Sequence, residues 1–469
     1  MLGLDSSGDV IARQTTGRTV DLSAQLGAMR GAWFFTLDGN ARFDHRRTET
    51  GAEAMRSSFT SRTTGREINF LANGPALQLP AGPVHLTFGA SARRDSVRIE
   101  GASDTAFGRN SHNVRAGIDI PLTGPAGPLP WLGTLALRAE ARRGTSGGVG
   151  VRSSTGSLRW ALASWLQVTG LVNEVTTAAS VSLMNEPILE TPGVRYFDPL
   201  RGETVEIVAV SGGQTDLPRQ RIDSRSLTVD LRPLRSADLL LTGEYSSTRN
   251  SNVVSALPQA SALVLDLFPE RFVRDATGRL SRVDLTPVVF PGQREEQLRT
   301  SVNLNLPLGQ SPRRPRLQVS ASMRYLLDSE LSLANGSTID LLGRSSVALG
   351  GAMRPRQRFD FTLGYAERGL GVRLTGERRG ASYLAAADGP GLLTFEPLTT
   401  LNLRAFVEGQ RIAPSSPMLR RARLGLDIGN LANRREQVRD GAGATPLAFQ
   451  PVFRDAVGRT IEVDLRVTF

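Results

Sequence analysis

The dominant signal along the chain is an alternation of apolar and polar residues with period two. In the last nine residues Ile461, Val463, Leu465, Val467 and Phe469 fall on one face and Glu462, Asp464, Arg466 and Thr468 on the other. That is a strand with one apolar and one charged face. Leu401, Leu403, Ala405 and Val407 oppose Asn402, Arg404 and Glu408 in the same way, and Phe359, Phe361, Leu363 and Tyr365 oppose Asp360 and Thr362. The alternation recurs from Val20, Val84, Asn113, Thr134, Leu227, Ser301, Leu317 and Arg421. Counting such segments gives about seventeen strands, many of nine or more residues. Strands of a soluble sandwich have a mode of about 5 to 6 residues, whereas a tilted membrane-spanning strand needs ~9 to 11. The predicted fold is all-β: a large antiparallel transmembrane β-barrel with apolar faces on lipid, a polar lumen lined by Arg, Asp, Glu, Asn and Gln, and long extracellular loops.

The connections fall into two alternating classes. Short ones rich in Pro and Gly occur at LGAMRGAW, LPAGPV, LTGPAGPLPWLG, WALASW, LRPLRSAD, LGQSPRRPR and AERGLG, with a longer one at GQRIAPSSPML. These read as periplasmic turns. Between them lie longer polar segments, the largest at residues 177–221 and 250–293. Such lengths are implausible as structureless loops of a compact soluble domain and are expected on the outer face of a barrel.

Composition narrows the partners. The chain has 469 residues, 56 basic and 45 acidic side chains and a net charge of +11. Every basic residue is arginine, a bias of composition, and the arginines are scattered along the chain and interleaved with Asp and Glu. No basic stripe with stacking aromatics is visible, so nucleic acid is not an expected partner. The absence of cysteine removes thiolate metal sites and cysteine nucleophiles. No run approaches the ~20 apolar residues of a spanning helix.

Five segments, in order, resemble the TonB-dependent outer-membrane receptors. They are GAWFFTLDGNARFDHRRTET, NGPALQLPAGPVHLTFGASARR, FDPLRGETVEIVAVSGGQTDLPRQRIDSRSLTVDLRP, LFPERFVRDATGRL and the ending from LGLDIGNLANRREQ to Phe469. Two departures stand out: SVSLMNEPILE where the family carries an Arg-x-Pro stretch with aromatics, and Ala432 where an aromatic is usual. The resemblance implies that residues 1–469 are receptor barrel, about seventeen or eighteen strands of a probable twenty-two. Signal peptide, TonB-contacting box and plug would lie upstream, making this an N-terminally truncated chain. It implies TonB-energised uptake of a scarce nutrient, of the siderophore, cobalamin or oligosaccharide class, at the cell outer membrane. Implied partners are outer-membrane lipid, the TonB complex through the missing N-terminal region, the barrel assembly machinery and a small-molecule ligand. The alternative is a passive porin or a non-transporting barrel remnant.

Candidate chemistry is sparse. The three histidines are His45 and His112, expected in outer loops, and His85, expected on a lumen face near a turn; none has metal-ligand spacing. GGVGVRSSTG lacks the lysine of a phosphate loop and reads as a loop feeding a strand. The loop charges Glu203, Glu206, Asp216, Arg219, Glu270, Arg271, Arg274 and Asp275 read as solvated rim charge. No catalytic residue, cofactor site or metal site is expected, and the chain is read as a non-enzyme. Eight short turns and a last strand make an odd strand count, so closure would need one more strand, for which residues 8–16 are a candidate. Phe469, a terminal aromatic on an alternating strand, resembles the signal read by the assembly machinery. Replacing Phe469 with Asp is therefore expected to lower the fraction of heat-modifiable, membrane-assembled protein on a gel, and unchanged assembly would remove that role.

Overall fold

A computed structural model describes residues 2–4, 10–51, 57–100, 105–125, 127–179, 183–184, 186, 188–234, 237–258, 260–309, 315–346, 354–385, 392–416, 419–450, 452 and 457–467. Phe469 lies outside them. The chain divides into two units, one of residues 1–158, 171–190 and 210–223, the other of residues 159–170, 191–209 and 224–469. Its long strands are β1 (Val10–Arg30), β2 (Trp33–Gly51), β3 (Ser57–Leu79), β4 (Gly82–Glu100), β5 (Thr105–Thr123), β6 (Thr134–Ser146), β7 (Val149–Ala163), β8 (Leu166–Thr177), β9 (Gln220–Leu231), β10 (Asp238–Ser255), β11 (Val288–Pro307), β12 (Arg316–Ser332), β13 (Gln357–Glu367), β14 (Leu370–Arg379), β15 (Leu398–Glu408), β16 (Ala422–Gly429) and β17 (Thr460–Val467). All eight connections read as short turns join consecutive strands of this set. Residues 10–16 are not a strand of their own: they are the outer end of β1, and Leu2–Leu4 folds back on Val10–Ala12.

In the first unit β1 to β6 form an antiparallel meander, each strand bonded to the next. The early strands run 19 to 23 residues, about twice what a bilayer requires, so half of each lies beyond the apolar band. Between β6 and β7 the chain reverses in two residues, Gly147 and Gly148, with φ of 61° and 82°; a left-handed pair of this kind matches the twist of a two-residue hairpin. This is where GGVGVRSSTG falls.

In the second unit β10 to β17 form the same kind of meander. Its register sorts side chains into rows across the strands. One row reads Leu239, Leu304, Val319, Leu363, Leu374, Leu403, Ile428, Ile461, apolar over eight strands. The row one residue away, on the opposite face, reads Asp238, Asn305, Gln318, Gly364, Arg373, Arg404, Asp427, Glu462. Gly376 sits beneath the Phe361 ring, which occupies the space a Cβ would need, so the aromatic covers the gap a strand glycine leaves. β17 pairs with β16 along Thr460–Val467, and Ile461, Val463 and Leu465 are about two-thirds exposed.

The rows make the two faces unequal. A charge at Leu403, in mid-row, is expected to cost about 2 to 4 kcal/mol in a bilayer, and Leu424→Arg or Leu465→Arg less, nearer the strand ends. Neutralising Arg404 and Asp427 together removes an exposed cross-strand pair and should cost under about 1 kcal/mol. Equilibrium unfolding in lipid vesicles checks both, and equal losses on the two faces would contradict the row assignment.

Candidate functional site

The inward face of the strands carries ion pairs both along and across the strands. Arg93 reaches Asp95 at 2.8 Å and Glu67 at 3.5 Å, and Arg221 spans Glu174 at 3.1 Å and Asp223 at 3.0 Å. Arg358 contacts Asp360 and Glu377, and Arg379 bonds the same Glu377 at 2.5 Å. In the first unit this face holds a polar hollow of about 390 Å³ bounded by Asp38, Asn69, Ser91, Asn113, Arg115 and Arg142. His85 is on this face opposite Asp119, as expected. His45 and His112 are not in loops: both lie within long strands on the other face, opposite Arg18 and Ala92. Among the described residues no group of acidic and histidine side chains could hold a metal ion.

The outer connections of the second unit hold the largest buried core of the described residues. Val205, Ile207, Val264, Phe268, Leu280, Val283 and Phe290 belong to one buried cluster, with Val194, Tyr196 and Leu257 packed against it. The two longest loops of the sequence build it together. Leu189–Asp198, Glu203–Ser211, Leu280–Asp284 and Phe272–Arg274 lie side by side in one four-stranded sheet. A one-turn-and-a-half helix, Ala262–Leu267, is capped by Ser261, whose hydroxyl accepts from the Val264 amide at 3.2 Å. Phe268 and Phe290 meet edge to face at 5.7 Å.

Two arginines fasten this cap. Arg274 donates to both oxygens of Asp198, at 2.6 and 2.9 Å, and the Leu200 amide adds a third bond at 3.1 Å. Asp198 is wholly buried, 0% exposed. The Arg274 hydrogen bonds hold its carboxyl below the usual range, against the upward push of burial. Arg271 bonds Asp284 at 2.5 Å and also Thr286. Burial pushes the Asp284 carboxyl up, but the Thr286 amide and hydroxyl and Arg271 outweigh it and hold it low. Asp275 closes the turn to the next strand by accepting from the Thr277 hydroxyl and amide and the Arg279 amide, with Gly278 at φ 77°. The reading of these charges as solvated rim is therefore corrected for Arg271 and Arg274, which are fold-building because their carboxylate partners are brought in by burial of the loops; Asp275 is exposed and orders only its own turn. The rim reading holds for Glu206, Asp216 and Glu270, which are exposed.

A second small sheet joins three later connections: Arg344–Ser346, Ser382–Ala385, Leu392–Phe395 and Val438–Arg439. Val438 is buried, Phe395 meets Phe449 edge to face at 5.6 Å, and Arg439 bonds Glu396 at 2.5 Å. Exposed on the first sheet, away from its core, are Arg195, Thr204, Glu206 and Val273. These are candidates for contact with a ligand.

No protein-family model matches the chain, and no curated protein matches it by sequence. Solved structures do match. The siderophore receptor PirA from Acinetobacter baumannii superposes with a TM-score of 0.59 over 97% of this chain and 71% of its own, at 12% identity. A ferric enterobactin receptor, PfeA from Pseudomonas aeruginosa, gives 0.56 over 97% and 71% at 13% identity. The RagAB peptide transporter gives 0.59 over 90% of this chain and 58% of its own at 10% identity. The fold is thus the antiparallel β-barrel of outer-membrane receptors.

Because both cap carboxyls titrate lower in the folded loops than in the unfolded chain, their stabilisation is complete above about pH 4 and is lost as pH falls through their folded values. Amide exchange of residues 203–211 and 280–284, corrected for intrinsic rates, should accelerate below that pH while β13 to β15 stay protected. Arg274→Ala should cost the cap on the order of 3 kcal/mol at neutral pH. Unchanged exchange in that variant would remove the pair as the fastening.

Proposed function

We propose that this chain is the barrel of a TonB-dependent receptor of the outer membrane that takes up a scarce nutrient, of the siderophore, cobalamin, oligosaccharide or peptide class. The observation that carries the reading is the match of nearly the whole chain to siderophore receptors and of nine-tenths of it to a peptide transporter, together with the five receptor-like segments in order. The ordered cap favours recognition over passive flow. A pore that only sieves solutes needs no buried core in its outer loops, whereas a receptor must hold a binding surface in one shape. In this reading the ligand meets the face bearing Arg195, Thr204, Glu206 and Val273. Lipid surrounds the apolar rows, the assembly machinery inserts the strands, and the TonB complex supplies energy.

Uptake by the host bacterium tests this. A strain deleted for the gene should lose accumulation of one member of a panel of radiolabelled ferric siderophores, cobalamin, oligosaccharides and peptides. The natural gene should restore it, and the gene with residues 256–287 replaced by a short Gly-Ser turn should not, although its product still assembles. A deletion strain unaltered for every compound, in which the protein is expressed and inserted, would overturn the receptor reading.

A further inference from the structure

The outward face of the first unit carries a cationic boundary whose course is set by the strand register. On β4 the outward side chains Val84, Leu86, Phe88, Ala90 and Ala92 make a nine-residue apolar span, and the next is Arg94. Each neighbouring strand does the same: the first basic residue after the apolar stretch is Arg18 on β1, His45 on β2, Arg66 on β3, His112 on β5 and Arg143 on β6. Arg18 and His45 are directly opposed, as are Arg66 and Arg94 two outward rows lower; His112 lies one row below those, and Arg143 one below that. The boundary thus descends four rows across the five spacings of six strands. With about 6.8 Å per row and about 4.8 Å between strands, its slope against the hydrogen-bond rows is roughly 45°. That slope equals the usual tilt of strands in a membrane barrel, so with that tilt the cations share one level, at the end away from the short turns.

Nothing among the described residues neutralises most of this line. Arg18, Arg66, Arg94 and Arg143 are exposed, and no carboxylate stands within ion-pair reach of any of them. Arg66 lies 5.8 Å over the Phe43 ring. Above the line Arg62 and Arg98 continue the row of Arg18 and His45, and Glu100, 4.0 Å from Arg62, is its acidic neighbour. Directly beneath Arg94 lies Ala92 and beneath Arg66 lies Ile68. Leu22 and Ala41 in the row of the two arginines, and Ala24, Gly39, Ile68 and Ala92 in the row beneath, bound a hollow of about 600 Å³ whose surface is mostly apolar and which Glu67, paired with Arg93, also lines.

We infer that this face binds a phosphate-bearing lipid of the outer leaflet, its headgroup phosphates held by Arg66, Arg94 and the row above, and an acyl chain seated in the small-residue hollow. Guanidinium groups grip phosphate bidentately and are less costly to desolvate than ammonium. An apolar hollow adjoining a two-row cationic rim matches one molecule that carries both chemistries, and more than one phosphate suits two rows. The inference rests on the membrane placement of the fold and not on transport, so failure of the uptake experiment leaves it standing.

The test uses the full chain purified in a non-ionic detergent, with binding read by native mass spectrometry against diphosphoryl lipid A, a dephosphorylated lipid A and inorganic pyrophosphate. Tight, salt-sensitive binding of the diphosphoryl lipid is expected. With each interfacial arginine contributing about fivefold, R66Q/R94Q should weaken it about 30-fold. The inward-face variant R115Q/R142Q should bind as the natural chain does. If the double variant does not fold, R94Q alone carries the comparison, with about a fivefold loss. Equal binding by R66Q/R94Q, or equal binding of the dephosphorylated lipid, would overturn the inference. Pyrophosphate bound as tightly as the lipid would reduce it to an anion site and overturn the lipid.

Discussion

The requirement from which the structure follows is that every backbone amide and carbonyl inside a bilayer needs a partner, and in a sheet that partner is the neighbouring strand. Within the described residues of β2 to β5 and β11 to β15 both edges are bonded to neighbours. With hydrogen bonding fixed by the ladder, side chains are left free to answer to the two solvents. Apolar rows face lipid and polar rows face water, and few strand residues are buried. A hydrophobic core in the ordinary sense forms where the chain leaves the ladder, in the outer connections, because there a backbone surrounded by water can fold as a soluble domain does.

This division explains what could be read from the sequence. Period two depends on one strand at a time, so the strand segments, the short turns and the polarity of each face were visible from Val20 to Val467. Turn chemistry is local as well: Asp275-Ala-Thr-Gly278 and Asp440-Gly-Ala-Gly443 form the same turn, with the Asp oxygen accepting from the amides two and four residues on and the Gly at positive φ. What stayed hidden depends on residues far apart. Asp198 and Arg274 are 76 positions apart, and neither sits in a pattern that distinguishes a buried partner from a rim charge. The co-folding of the two long loops was hidden for the same reason, since the alternation in 203–211 reads equally as strand and as loop. The length of β1 to β5 was missed because beyond the bilayer both faces are wet and the alternation fades.

The arginines show the same effect in sharper form. Along the chain they are dispersed, and composition alone accounts for their number. Register collects them. Arg299, Arg324, Arg358 and Arg379 stand directly opposed on four consecutive strands, with Glu244 at the end of the row. Like charges so placed are unfavourable, and the adjoining inward rows supply the remedy: Asp360 and Glu377 bridge Arg358, and Glu377 also holds Arg379. A linear sequence cannot reveal this arrangement because a slip of one residue in any strand would turn its arginine to the other face.

The two faces treat the same side chain differently, and the difference locates the solvent. Inward Arg93, Arg358 and Arg379 are matched by carboxylates at 2.5 to 3.5 Å across or along the strands. The outward line from Arg18 to Arg143 has the opposite character, with apolar residues below and scarcely any acid beside it. Unmatched cations at one depth repel one another, and water screens them less at the edge of a hydrocarbon layer than in bulk. An inward row is neutralised by its own chain, whereas an outward row can be neutralised by whatever the membrane presents at that depth. The boundary crosses the hydrogen-bond rows at roughly the strand tilt of a membrane barrel, the course expected of a level set by lipid and not by sheet packing.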